Sequence, residues 1–364
     1  MTPRPNYDNA PARVYWEITR ACDLACVHCR AEAAPLADPA ELGPEAGLKL
    51  LDQLAEASPR LHVILTGGDP LKRADLFALI AHARKRGLDV SVSPSATPLL
   101  TEEAIDHLRT AGVSAISLSI DGSTAQTHDA LRGVAGCYER TMIAGKRARE
   151  VGLPFQVNTL VSRETLADLP AIETLVRKLD ANRWSLFFLV TVGRGTVLSP
   201  ISPEETEELL IWLAGRAKVP GMVITTTEAP HFRRVAMQQR DANTPAPQGH
   251  GAGIRDGNGV MFISNDGEIH PSGFLPLGAG NVKMENPLRV YRDAPMFRAL
   301  RDVDSFHGRC GRCEFRKVCG GSRARAYAAT GDAYAEDPLC TYEPQVERPV
   351  PVAPPLTAPE PVAT

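Results

Sequence analysis

The sequence predicts an α/β fold built on a parallel β-sheet. Between Val14 and about Lys218, short apolar or β-branched runs alternate with amphipathic helical patterns. Continuous apolar runs are typical of parallel strands buried on both faces, and helices usually connect such strands. Six strand–helix units in succession indicate one sheet covered by helices. Periodicity alone leaves an open sheet and a partial barrel as alternatives.

The predicted elements follow one another in regular order. The six strands fall at 14–18, 61–66, 89–93, 114–120, 155–161 and 184–190. Between strands, one helical stripe of apolar residues runs over 76–83 and another over 169–179. Glycines stand where three of the helices should end, at Gly87, Gly112 and Gly152. A capping box at 202–205, with proline at the first helical position, opens the sixth helix.

Beyond the sixth helix the sequence predicts a second unit. The stretch 241–259 is rich in Gly, Pro and Asn, as in a linker or surface loop. A β-hairpin that turns at Asn265-Asp266-Gly267 and a short helix at 286–301 follow it. The predicted organisation is an N-terminal extension (1–12), a core (13–218), a connecting segment (219–257), a C-terminal domain (258–345) and a disordered Pro/Ala-rich tail (346–364).

The composition argues against several function classes. A net charge of −3 gives no electrostatic reason to expect nucleic acid as a partner. No apolar run reaches the roughly 18 residues of a membrane span, and no secretory signal opens the chain. We therefore expect a cytoplasmic protein without a membrane partner, whose eight cysteines do not form disulfides.

Three of the cysteines form a tight group directly after the first predicted strand. Cys22, Cys26 and Cys29 follow the spacing C-x3-C-x2-C. Thiolates at such short intervals ligate iron–sulfur clusters or zinc. Three ligands would leave one iron of a four-iron cluster open to another molecule. The alternatives are a zinc site that borrows a fourth ligand such as His28, and thiols without a shared role.

This cysteine motif, after strand one of a run of βα units, resembles that of the radical S-adenosylmethionine (SAM) superfamily. The resemblance covers about residues 13–215 and implies a partial (β/α)6 parallel barrel. It also implies a 4Fe-4S cluster whose open iron is chelated by the amino and carboxylate groups of SAM. In this family the reduced cluster donates one electron, the S–C5′ bond breaks, and a 5′-deoxyadenosyl radical abstracts hydrogen from the substrate.

Other segments resemble the SAM-binding motifs of the family. The turn Gly67-Gly68-Asp69-Pro70 is similar to the GGEP motif that holds the methionine amino group, with Asp in place of Glu. The segment 117–122 resembles a stretch near the ribose and methionine, and Arg132 resembles an arginine that clamps the SAM carboxylate. The alternative for Arg132 is a surface charge at a helix end. The implied SAM-contacting set is His28, Gly67, Gly68, Asp69, Pro70, Ser93, Ser119, Asp121, Arg132 and Asn158. For Ser93 and Asn158 the alternative is that their side chains satisfy backbone groups.

Four more cysteines lie late in the chain, at Cys310, Cys313, Cys319 and Cys340. Four thiolates are enough to complete the coordination of a closed metal site, and the spacing alone fits a structural zinc. After a radical SAM core the pattern instead resembles the SPASM/twitch extension, which carries auxiliary 4Fe-4S clusters. Ser272 stands where a further cysteine would be expected, and Cys137 is the one cysteine left over. We therefore expect one auxiliary cluster, as in the twitch variant.

The stretch 309–340 resembles enzymes of the alternative haem and haem d1 pathways, which trim propionates from tetrapyrroles. Arg323 and Arg325 are candidate anchors for such a substrate, and the alternative is that both are solvent-exposed or salt-bridged. A second hypothesis is a maturase of a ribosomally made peptide, although about 13 residues before strand one are few for a peptide-binding domain. A third is a non-catalytic iron–sulfur or zinc scaffold. For an enzyme we expect a small-molecule or peptide substrate and a low-potential electron donor such as flavodoxin or ferredoxin.

Overall fold

The computed structural model describes residues 7–57, 61–240, 253–345 and 354–357. Ten described strands form one sheet: β1 (Arg13–Thr19), β2 (His62–Gly67), β3 (Asp89–Val92), β4 (Ala115–Ser119), β5 (Phe155–Val161), β6 (Arg183–Phe188), β7 (Val223–Thr227), β8 (Val260–Ile263), β9 (Glu268–His270) and β10 (Gly280–Asn281). The described helices are α1 (Pro44–Ala55), α2 (Leu76–Lys85), α3 (Glu102–Thr110), α4 (Ala125–Arg132), α5 (Cys137–Glu150), α6 (Leu169–Lys178), α7 (Pro203–Arg216), α8 (Phe232–Gln238), α9 (Pro287–Asp293), α10 (Pro295–Arg301), α11 (Gly308–Arg312) and α12 (Arg323–Thr330).

The sheet is mostly parallel and does not close. Its order is β10-β9-β8-β1-β2-β3-β4-β5-β6-β7, so β10 and β7 form the two edges. Neighbours from β1 to β7 pair in parallel, β8 pairs in parallel with β1, and β9 pairs antiparallel with both β8 and β10. The predicted partial parallel barrel is therefore confirmed. The six predicted strands correspond to β1 to β6. The structure adds β7, which lies in the segment 219–257 that was predicted as a connection.

Strand alternation gives the sheet two chemically different faces. The outer face packs on helices such as α1 and α2 through fully or nearly fully buried apolar side chains: Val14, Trp16, Val63, Leu65, Val90, Val92, Ile116, Leu118, Val157, Trp184 and Leu186. The opposite face, here named the inner face, carries mostly polar residues in matching register: Tyr15, Glu17, Thr66, Ser91, Ser117, Ser119, Asn158 and Ser185. Buried polar side chains need hydrogen-bond partners, which a hydrophobic core cannot supply. A polar inner face therefore suits a ligand-binding cavity.

The C-terminal region extends the same sheet. The predicted hairpin is present as β8 and β9 with its turn between them, but β8 lies beside β1 in the main sheet. The helix predicted over 286–301 is two helices, α9 and α10. The break falls at Ala294, whose backbone is extended (φ −61°, ψ 134°), because a residue before proline disfavours the helical conformation.

Parts of three predicted segments lie outside the described residues: 1–6 of the extension, 241–252 of the Gly/Pro-rich loop, and most of the tail. Of that tail, residues 354–357 are described, and Leu356 forms backbone hydrogen bonds with Ala333 and with the side chain of Asp332. Leu356 also packs on the apolar cluster of Phe306 and Tyr334. The domain boundaries drawn from the sequence remain predictions.

Candidate functional site

The predicted SAM-contacting residues gather near one edge of the sheet. Gly67–Pro70 follow β2, Ser93 follows β3, and Ser119 and Asp121 end and follow β4. Asn158 lies within β5 and pairs in register with Ser119. Carboxyl ends of parallel strands are where α/β folds bind their ligands. The structure thus brings residues that are far apart in sequence to a common edge. Gly67 and Asp121, for example, are 54 positions apart.

The first cysteine group occupies the loop that leaves β1. Cys22 is buried, whereas Cys26 and Cys29 are partly exposed, and none forms a disulfide. Two backbone hydrogen bonds hold this loop in place. Cys22 N donates to Ala34 O (2.7 Å), which joins the two ends of the loop, and Ala25 N donates to Arg132 O (3.2 Å) at the end of α4. The cysteine loop is therefore held at both flanks by rigid neighbours.

Each thiol of this group has an N–H donor within reach. Backbone N–H groups donate to Cys22 Sγ (3.4 Å) and to Cys29 Sγ (3.4 Å), and Nη1 of Arg132 lies 3.8 Å from Cys26 Sγ. Burial raises the pKa of the Cys22 thiol, so its thiolate needs a cationic partner. Thiolates that ligate iron–sulfur clusters receive hydrogen bonds of this kind, which help to set the cluster potential. The donor set fits an iron–sulfur cluster.

The glycine turn after β2 packs backbone to backbone on the start of the cysteine loop. Gly68 N donates to Thr19 O (2.8 Å) and Asp69 N donates to Ala21 O (2.7 Å). Gly67 has φ of 148°, and a Cβ built on Gly68 would lie 2.4 Å from Ala21 O. Only glycine allows this approach, so the turn fixes where the cysteine loop begins.

Asp69, which stands where the family has glutamate, stabilises the turn through internal hydrogen bonds. Its fully buried carboxylate accepts hydrogen bonds from Thr97 Oγ1 (2.6 Å), Leu71 N (3.1 Å) and Ser95 N (3.3 Å). Burial raises its pKa, and these donors oppose that rise. The Asp69 side chain is already hydrogen-bonded within the protein. The turn can therefore contact a ligand only through its backbone groups. Thr97 and Ser95 were not anticipated from the sequence, where no motif marks them.

Asp121 and Arg132 form an ion pair beside the cysteine loop. The Asp121 side chain is 2% exposed and that of Arg132 is 13% exposed, so the alternative of a surface charge is wrong. Burial opposes ionisation of Asp121, but the neighbouring Arg132 guanidinium, helped by a hydrogen bond from Leu160 N (2.7 Å), favours the carboxylate, and the pKa of Asp121 is lowered. His28 lies 3.9 Å from the Asp121 carboxylate, and burial lowers its pKa to about 4. The site therefore contains one fixed ion pair and neutral imidazoles.

The four late cysteines also come together. Cys310, Cys313, Cys319 and Cys340 line one pocket. Backbone N–H groups donate to Sγ of Cys310 (3.4 Å), Cys313 (3.4 Å) and Cys319 (3.5 Å). Within the described ranges, no three Cys, His, Asp or Glu side chains are close enough to hold a single metal ion. The donor set is the same as in the first group, with four thiols in place of three.

Arg323 and Arg325 lie behind this second group. Arg323 is fully buried; its Nη2 lies 3.4 Å from Cys310 Sγ, and its Nη1 donates to two backbone carbonyls. Arg325 is 6% exposed at its side chain and pairs with Asp337 at 3.1 Å. The salt-bridged alternative is therefore the one that the structure supports. Arg323 has no accessible surface for a substrate propionate and Arg325 has very little, so both guanidinium groups support the cysteine pocket from behind.

Two further groups were missed by sequence reasoning. Cys137 packs beside the first cysteine group at the start of α5, fully buried, although it is remote from that group in sequence. Glu228 directly follows β7 with φ of 57°, an uncommon backbone state for a residue with a side chain. Ser322 and Asp256 contact its carboxyl, and burial raises the pKa of Glu228 well above its ordinary value, with Asp256 adding to that rise. Neither residue belongs to a sequence motif.

Fold and site together define an α/β partial-barrel protein with a thiol-rich ligand site at the carboxyl edge of its sheet. A family model for the radical SAM superfamily matches residues 16–176. The "AdoMet-dependent heme synthase" of Methanosarcina barkeri is 39% identical over 92% of this chain and 98% of its own length. That of Nitratidesulfovibrio vulgaris is 40% identical over 94% of this chain and 96% of its own. The chain belongs to the radical SAM superfamily.

A solved structure confirms the fold. Streptococcus suis SuiB, bound to S-adenosylmethionine, superposes with a TM-score of 0.68 at 18% identity, over 92% of this chain and 78% of SuiB. Membership of the superfamily makes the protein an enzyme that uses a 4Fe-4S cluster and SAM, so the alternative of a non-catalytic scaffold is set aside. Among the described helices, none is long and apolar enough to cross a bilayer.

Proposed function

We propose that this enzyme removes carboxyl groups from propionate side chains of a haem-type tetrapyrrole. The observation that carries the proposal is the similarity, at 39% and 40% identity and over nearly full length, to proteins named AdoMet-dependent heme synthases. Hydrogen abstraction from the propionate carbon next to the ring leaves a carbon radical. The bond to the carboxylate then breaks, CO2 leaves, a vinyl double bond forms, and one electron passes to a one-electron acceptor of the iron–sulfur class.

We assign the catalytic 4Fe-4S cluster to Cys22, Cys26 and Cys29. The N–H donors to all three sulfurs and the rigid anchoring of the loop support the assignment. When bound, the cluster supplies the electron that cleaves SAM. The protein positions SAM through the turn at 67–70 and holds Arg132 in place through Asp121, which keeps a guanidinium beside the cysteine loop.

We assign an auxiliary 4Fe-4S cluster to Cys310, Cys313, Cys319 and Cys340. Support comes from the shared pocket and from Arg323, whose buried positive charge beside Cys310 would offset the negative charge of cluster thiolates. Zinc is the alternative occupant. Iron, sulfide and zinc content after anaerobic purification separates the two, since two cubanes give about eight irons per chain.

We further propose that the electron donor is a flavodoxin or ferredoxin and that the enzyme works in the cytoplasm. Support for the location comes from the eight free cysteines, since thiols remain reduced in that compartment. The second candidate substrate is a ribosomally made peptide. SuiB, which shares the fold, has been solved bound to its precursor peptide SuiA.

The test is a single-turnover reaction under anaerobic conditions. Reconstituted enzyme receives dithionite, SAM and iron-coproporphyrin, and products are analysed for 5′-deoxyadenosine, CO2 and porphyrin mass. We expect 5′-deoxyadenosine together with a porphyrin that has lost the elements of formic acid from each converted propionate. Release of 5′-deoxyadenosine with unchanged porphyrin mass would contradict the tetrapyrrole proposal and favour a peptide substrate.

A further inference from the structure

Two buried arginines lie against the second cysteine group. Arg323 is fully buried, and its Nη2 lies 3.4 Å from Cys310 Sγ. Arg255 is 7% exposed, and its guanidinium donates to two backbone carbonyls, Gly253 O (2.9 Å) and Leu300 O (3.2 Å). Within the described ranges, no ion pair joins either guanidinium to a carboxylate, because their partners are carbonyl oxygens and a sulfur.

Two glycines let both guanidinium groups approach this cysteine group. Gly320 and Gly321 follow its third cysteine, and both have a left-handed backbone, with φ of 75° and 65°. A Cβ on Gly320 would lie 3.1 Å from Arg255 Nε. A Cβ on Gly321 would lie 2.9 Å from Cys310 Sγ and closer still to Arg323 Nη2. Side chains at these two positions would push the positive charges away from the sulfurs.

The same aromatic ring packs on both guanidinium groups. Cζ of Arg323 lies 4.5 Å from the ring centre of Phe306, and Cζ of Arg255 lies 5.5 Å from it. Phe306 is itself fully buried. A third arginine, Arg233, donates from Nη1 to the carbonyl of Val318, the residue before the third cysteine (3.0 Å). Positive charge therefore surrounds this part of the cysteine group, away from water.

The buried acids nearby have other partners. Asp337 pairs with Arg325 at 3.1 Å, and Asp256 accepts hydrogen bonds from two backbone N–H groups at the start of α12 (3.0 Å each). Burial lowers the pKa of Arg255 to about 9, and the positive charge of Arg323 contributes to that fall. Buried charges are costly unless an anion joins them. The anionic group that these arginines contact is the second cysteine group.

The charge of a cluster at this group depends on its oxidation state. Four thiolates around a 4Fe-4S core give a net charge of about −2, and one added electron makes it about −3. Positive charge held in a low-dielectric setting stabilises the more negative state, which raises the reduction potential. At the first cysteine group, the guanidinium beside Cys26 belongs to Arg132, which is already paired with Asp121. An added electron is therefore stabilised less at the first group than at the second.

We propose that Arg255 and Arg323 raise the reduction potential at the second cysteine group, so that a cluster held there accepts the electron released by the substrate. The bond to the departing carboxylate holds two electrons. One completes the vinyl double bond with the substrate radical, the other passes to this cluster, and CO2 leaves as a neutral molecule. In naming the source of the electron, the inference rests on the proposed function. Both arginines act through the cluster and are positioning residues.

The experiment measures midpoint potentials in anaerobically reconstituted holoenzyme by redox titration followed by electron paramagnetic resonance. SAM changes the signal of a cluster with an open iron, so the signal that SAM leaves unchanged reports the second group. The variants are Arg255→Gln, which removes the charge, and Arg255→Lys, which keeps it. The matched control is Arg301→Gln, since the side chain of Arg301 is 8% exposed but pairs with Asp8 at 3.6 Å.

In wild type we expect the second group to have the higher potential. Arg255→Gln should change the ratio of reduced to oxidised cluster about tenfold, which is a fall of about 59 mV for a one-electron couple. Arg255→Lys should fall by less, and Arg301→Gln should match wild type. The SAM-sensitive potential should stay unchanged in all variants. If Arg255→Gln does not load iron at this group, Arg233→Gln receives the same measurement, with a fall expected as well.

Three results would overturn the inference: the same second potential in wild type and the glutamine variants of Arg255 or Arg233, a second potential below the first in wild type, or zinc in place of iron at this group. The failure of the proposed function has a different signature. Lowered potentials in the variants, together with an unchanged porphyrin mass in wild type, would retain the role of the arginines and refute the tetrapyrrole substrate.

Discussion

Replacing Gly68 by alanine should weaken SAM binding without removing the cluster ligands. The new Cβ would lie 2.4 Å from Ala21 O, 2.6 Å from Arg20 O and 2.7 Å from Ala21 C, all of them backbone atoms. Relief of the 2.4 Å approach to an ordinary contact distance requires a shift of about 1 Å, and forced shifts of this kind cost about 1–3 kcal/mol. The displaced segment leads directly into Cys22, so that cost falls on the geometry of the SAM site.

If the whole cost appears in SAM binding, the half-saturating SAM concentration should rise by about 5- to 150-fold. The assay measures 5′-deoxyadenosine formation against SAM concentration in dithionite-reduced enzyme, with iron content measured on the same sample. The control is Gly215→Ala in α7, where nothing lies within 4 Å of the added Cβ. Gly215→Ala should leave the SAM curve unchanged and stabilise the fold by about 0.5 kcal/mol.

A Gly68→Ala enzyme that keeps wild-type iron content and a wild-type SAM curve would refute the reasoning. It would mean that the turn at 67–70 does not position SAM. Loss of iron together with SAM cleavage would instead show that the turn mainly supports the cysteine loop. Iron content therefore separates the two roles of the turn.

Two further variants test other parts of the account. Cys319→Ala should retain some SAM cleavage but lose the porphyrin product, because the proposed auxiliary cluster is assigned a step after SAM cleavage; wild-type product yield would make the second cysteine group merely structural. Glu228→Gln should gain stability relative to wild type as pH rises. Burial raises the Glu228 pKa, so its contribution to folding is present at low pH and is lost as pH passes that raised pKa. Denaturant unfolding at several pH values measures this, and a pH-independent difference would contradict it.

The fold was predictable wherever local pattern determines structure. Buried parallel strands appear in the sequence as apolar runs, so β1 to β6 could be predicted. Cysteine ligands on one loop appear as short intervals between cysteines, so both cysteine groups could be predicted as well. β7 was missed because its sequence VITTT is short and mostly polar on one face. A strand at the sheet edge needs no continuous apolar run, which removes the signal.

Contacts between residues remote in sequence were not predictable. Arg323 and Arg325 look like free cations in a basic segment, and only the fold brings Asp337 and the cysteine pocket around them. Cys137 reaches the first cysteine group because α5 begins beside it, which no spacing rule records.

We propose that Cys22, Cys26 and Cys29 hold the cluster that cleaves SAM. The most direct measurement compares 5′-deoxyadenosine release by wild type, Cys26→Ala and Cys137→Ala after anaerobic reconstitution and reduction. Cys137 is a fitting control because it is a fully buried thiol beside the same loop. We expect no release from Cys26→Ala and retained release from Cys137→Ala. Release of 5′-deoxyadenosine by Cys26→Ala at the wild-type rate would contradict it.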